Sequence, residues 1–77
     1  MAVEANRLDA MQATYHEAVE AWVRAIREEE ALALVEHSVA DIDVWEAACD
    51  REDEARTRAR EAKKEYETAL REEFFGF

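Results

Sequence analysis

Seventy-seven residues with no proline, one glycine and 49% hydrophobic side chains, many of them alanine, make a single domain with a thin core. Twenty acidic residues against ten basic give a net charge of −10, carried as eight acids and three bases up to His37 and twelve acids and seven bases beyond it, so there is no separate acidic tail. That field argues against direct binding to nucleic acid or an anionic membrane, and it suits a basic protein partner.

The N-terminal stretch MAVEANRLDAMQ places acids where a secretory leader needs a positive start and an apolar run, and the longest apolar run anywhere is ALALV. Cys49 is the single cysteine, which excludes an intrachain disulfide and any paired-cysteine zinc site. A reducing, cytoplasmic setting is the expectation.

The first element runs from about Val3 to Val35, a breaker-free stretch dominated by Ala, Glu, Arg, Leu and Met, which are strong helix formers. A turn is expected at about 36–41, in EHSVADID, with Ser38 or Asp41 as the residue that caps the next helix. The second helix is expected from about Asp41 to Phe74, leaving a short aromatic tail at 75–77, where Gly76 is placed to stop the helix in the left-handed conformation. Two helices joined by a short turn pack as an antiparallel hairpin, so the fold class is all-α.

A seven-residue beat fixes how they face each other. With Leu8 at heptad position a, the first helix offers Leu8, Tyr15, Trp22 and Glu29 at a and Met11, Ala18, Ala25 and Leu32 at d. The second offers Trp45, Glu52, Ala59, Tyr66 and Glu73 at a, and alanine at every d: Ala48, Ala55, Ala62 and Ala69. Folding the chain about Ser38 and Val39 sets Trp22 opposite Ala55, Tyr15 opposite Ala62, Leu8 opposite Ala69, Met11 opposite Tyr66 and Leu32 opposite Trp45. Alanines thus leave room for bulk from the other helix, the arrangement of an alanine-rich coiled coil.

The flanks of this seam differ in kind. On the g side Glu28 falls opposite Arg51, Arg7 opposite Glu72 and Val35 opposite Val44, charges that specify register more than stability. Along single helices, Glu20 with Arg24, Glu52 with Arg56, Glu54 with Arg58 and Glu67 with Arg71 have the spacing of favourable pairs. On the e side Val19, Ile26, Ala33, Ile42 and Cys49, with Val23 at the border, form an apolar stripe left over once the seam is filled. A chain this short buries only ~60% of its unfolded surface. A second copy closing the stripe, in a homodimeric four-helix bundle, supplies the missing core.

Candidate chemistry is sparse. There is no phosphate-binding glycine loop and no nucleophile motif, and one glycine gives little means to build a catalytic loop, so no enzyme and no cofactor is expected. Glu29 and Glu52, both inward at a, are the weak candidates for a carboxylate metal site, but no Glu-x-x-His accompanies them; His16 falls outside the seam and His37 in the turn. The run RTRAREAKK carries Arg56, Arg58, Arg60, Lys63 and Lys64 on several faces, to be partly neutralised by Glu17 and Glu20 across the hairpin. Phe74, Phe75 and Phe77 either cover the open end of the bundle or form a docking tail for a partner. The function these features favour is a non-enzymatic protein-protein interaction or structural protein, an acidic self-associating hairpin. The alternatives are an acidic inhibitor that mimics nucleic acid toward a basic DNA- or RNA-binding protein, and a carboxylate metal-binding bundle.

Overall fold

Ser38 begins the second helix as its N-cap. Its backbone is extended (φ −122°, ψ 167°), its Oγ accepts the Asp41 N–H at 3.2 Å, and its carbonyl accepts the Ile42 N–H at 3.0 Å. The sequence left Ser38 and Asp41 as rivals for this role; Asp41 instead lies in the first turn, where its negative charge complements the helix dipole. The computed structural model describes residues 2–33 and 38–76, with side chains from Asn6 onward.

Helix α1 spans Ala2–Ala33 and helix α2 spans Val39–Phe75, and they pack against each other. Helix α2 therefore starts before the expected boundary at Asp41 and takes in Phe75, because the caps at Ser38 and Gly76 set its limits. Gly76 adopts φ 74° and donates its N–H to the Glu72 carbonyl at 3.1 Å, the left-handed stop that glycine adopts without steric cost. Val35 and His37 lie outside the described residues, and so does the expected Val35 to Val44 contact.

Cross-helix contacts run in opposite order along the two helices. Arg7 approaches Glu72, Tyr15 stacks near Tyr66 with ring centroids 6.4 Å apart, Trp22 reaches Glu52, and Glu28 reaches Arg51. Partners descend along α2 as positions ascend along α1, the order of an antiparallel hairpin. The outline is long and thin, 57 × 18 × 12 Å, with a radius of gyration of 17.3 Å. A compact chain of this length would have a radius of gyration of about 11.5 Å.

The core sits in the seam and consists of small side chains. Ala48, Ala59, Ala62 and Ala69 are 1–8% exposed, while among the described residues no large side chain is fully buried. Three of the four d-position alanines are thus buried, together with Ala59 from an a position; Ala55 is half-buried. Opposite them, Leu8, Met11, Tyr15, Trp22 and Leu32 of α1 are also half-buried. Bulk from one helix fills the space left by methyl groups on the other, and the side of each large residue turned away from the seam has no neighbour.

Candidate interaction surface

The seam has two flanks, and ion pairs bridge one of them, beside a groove lined by Arg7, Met11, Lys64, Glu65, Thr68 and Ala69. Arg51 donates to Glu28 at 2.5 Å, and Arg7 lies 4.0 Å from Glu72, the two cross-helix pairs that heptad positions predict. The second pair also offsets acid in the last turn of α2, where Glu72 and Glu73 oppose the helix dipole. Within helices the Glu52–Arg56 and Glu67–Arg71 pairs form, at 3.8 and 3.5 Å. Two expected pairs do not. Glu20 turns to His16 instead of Arg24, and Glu54 and Arg58 make no ion pair among the described residues. Exposed pairs are worth ~0–1 kcal/mol, so small rotamer preferences decide them.

The opposite flank remains open. Val19 and Cys49 are half-buried, Ala33 and Val23 are exposed, and Ile26 and Ile42 are 40% and 51% exposed. Trp45, at the position facing Leu32, is 37% exposed, because a two-helix layer has nothing to cover the outer face of an indole. Two grooves follow one another along this flank. Nearer the turn, Ile26, Glu29, Glu30, Ala33, Trp45 and Glu52 line the first. Toward the open end, Tyr15, Val19, Trp22, Ala59, Arg60 and Lys63 line the second.

Glu29 and Glu52 line the same groove, and each accepts a hydrogen bond from within the hairpin. Glu52 Oε2 accepts a 2.7 Å hydrogen bond from the Trp22 indole N–H, and Glu29 Oε1 accepts from the Cys49 thiol at 3.4 Å. Sequence reasoning missed both bonds. The available signal was the indole N–H itself, since a Trp packed into a seam usually finds an acceptor, and Glu52 is the inward polar residue one turn from Ala55. Partial burial raises the Cys49 thiol above its ordinary pKa, and the hydrogen bond and charge of Glu29 raise it further, with Asp50 and Asp53 adding to the effect. The thiol therefore stays protonated, which suits it to donate to Glu29 and makes it a poor nucleophile and metal ligand. Among the described residues no group of three or more His, Cys, Asp or Glu side chains is placed to hold a metal ion.

No known protein family matches this chain, and no curated protein or solved structure matches it significantly.

The remaining expectations concern charge, the tail and membranes. The cations of α2 are not neutralised by Glu17 and Glu20. Arg56 pairs with Asp53 and Glu52 on its own helix, whereas Arg58, Arg60, Lys63 and Lys64 make no ion pair among the described residues. Phe74 and Phe75 are 69% and 68% exposed and so do not cover the layer at Leu8 and Ala69, since two helices offer no floor beyond their last turn. Phe77 lies outside the described residues. No described helix is long and apolar enough to cross a membrane.

Proposed function

We propose that this chain is a non-enzymatic protein-protein interaction or structural protein whose working form is a homodimer, two hairpins joined as a four-helix bundle through the flank of Val19, Val23, Ile26, Ala33, Ile42 and Cys49. The observation that carries this reading is the inversion of the usual core. Alanines are buried, while Ile26, Ile42 and Trp45 stay open on one side. Surface area supports it quantitatively. The chain exposes 6100 Å² at a mass of 8.9 kDa. A compact monomer of that mass exposes about 4,800 Å², an excess here of roughly 1,300 Å². A standard interface covers about 800 Å² on each partner, so one dimer contact accounts for most of the excess.

The non-enzymatic reading draws on how the polar groups of the seam are used. Glu29 and Glu52 accept hydrogen bonds from Cys49 and Trp22, and the thiol is held protonated. These are structural uses, and they weaken the case for a carboxylate metal bundle. A second reading, an acidic mimic of nucleic acid acting on a basic protein, draws on the net charge of −10 along a 57 Å rod. It ranks lower because Arg58, Arg60, Lys63 and Lys64 interrupt that field with no acidic partner among the described residues. A reducing, cytoplasmic setting accords with a single cysteine.

Thermal unfolding at two chain concentrations tests the proposal. Where folding and association are linked by mass action, the midpoint rises with concentration. A midpoint unchanged across a hundredfold range would count against the homodimer.

A further inference from the structure

The two grooves on the open flank carry opposite charge. The one near the turn sets Glu29, Glu30 and Glu52 around Ile26 and Trp45, and the one toward the open end sets Arg60 and Lys63 around Val19 and Trp22. Glu30, Arg60 and Lys63 make no ion pair among the described residues, so their charges are available to a neighbour. Val19 and Ile26 occupy the same heptad position one repeat apart, which places both grooves on one face.

We infer that a second copy of this chain packs on this face about a two-fold axis passing between the grooves, so that the acidic groove of each copy rests on the cationic groove of the other. The inference rests on the self-association proposed above and specifies its geometry. A two-fold contact uses the same patch on both copies, read in reverse order on the partner. From the turn outward the face is acidic, then apolar on α1 beside the Arg56–Asp53 pair of α2, then cationic. Reversed, it is cationic, apolar and acidic, and it complements itself only when the two hairpins point in opposite directions. With both turns at the same end, carboxylates would meet carboxylates and cations would meet cations, which disfavours that arrangement. Near the axis, Val23 and Ile26 of one copy meet the same residues of the other. Trp45, too exposed in a single hairpin, is then covered by the Tyr15 and Val19 region of the second copy.

Charge reversal tests this geometry separately from self-association. Glu29→Lys with Glu30→Lys makes both grooves of a copy cationic, and Arg60→Glu with Lys63→Glu makes both acidic. Sedimentation equilibrium on each double variant, with helicity checked by circular dichroism, should show dimerisation at least about tenfold weaker than for the unaltered chain. An equimolar mixture of the two should recover the original dissociation constant to within about threefold, because both contacts of the mixed dimer are again complementary. If Glu29→Lys disturbs the fold through its bond to Cys49, Glu30→Lys and Arg60→Glu, both at exposed positions, carry the same test. An unaltered chain that dimerises while the variants dimerise equally well, or a mixture that fails to recover, overturns the two-fold geometry and leaves self-association standing. An unaltered chain that stays monomeric overturns both.

Discussion

Along one flank of the seam Arg51 donates to Glu28 and Arg7 approaches Glu72, while along the other Ile26, Ile42 and Trp45 lie open beside carboxylates on one side and cations on the other. Both flanks belong to the same two helices and border the same alanine layer, so the contrast lies in what each leaves unsatisfied. The first flank bridges its charges in pairs and leaves one large apolar side chain of its own, Val44, 50% exposed. Apolar side chains on the second need a cover that a two-helix layer cannot supply. The ion-paired flank aligns the helices of one chain, whereas the apolar flank is the surface on which the proposed second copy would pack.

The seam between the flanks is where the comparison is easiest to break. Trp22 is half-buried, holds Glu52 through its indole N–H and faces the alanine layer, so Trp22→Ala removes packing and leaves Glu52 with Arg56 alone. The expected loss is ~3–5 kcal/mol in denaturant unfolding. Ala59, 3% exposed, has no room for a larger side chain, so Ala59→Leu should cost ~1–3 kcal/mol through overpacking. Ala55→Leu should cost less than Ala59→Leu, because Ala55 is only half-buried. Equal costs at the two positions would show that the buried alanine layer is not what sets the helix spacing.

The ion-paired flank should be far more tolerant. Glu28 and Arg51 are each about half exposed, and Glu28→Ala should lower stability by under ~1 kcal/mol and leave association unchanged. A Glu28→Ala variant with altered dimerisation would place the interface on the wrong side of the molecule.

Much of this architecture is legible in the sequence, for a physical reason. Helical periodicity is a property of the chain itself, so the alanine beat from Ala48 to Ala69 locates the seam, and heptad positions alone align Glu28 with Arg51 and Arg7 with Glu72. Ser38 and Gly76 are readable as helix limits because each acts on its own backbone. What escapes is whatever depends on a third neighbour. A heptad letter places Trp45 toward the partner helix without revealing that its outer face is bare. It places Glu29 and Glu52 inward without revealing that Cys49 and Trp22 take up their acceptors. The same limit explains Phe74 and Phe75, whose covering of the open end required a surface that one hairpin does not provide. The apolar stripe itself was visible as a pattern, but the opposite charges of its two grooves emerge only when side chains from both helices are brought together.

Sedimentation equilibrium on the unaltered chain and on Ile26→Asp reports whether this flank joins two copies. Ile26 lies mid-stripe, so aspartate there would put an unpaired charge into the dimer contact, a loss of several kcal/mol. The account predicts a mass of twice 8.9 kDa for the unaltered chain at micromolar concentration, and a dissociated or unfolded Ile26→Asp variant. A folded monomer of 8.9 kDa at that concentration, unaffected by Ile26→Asp, would contradict it.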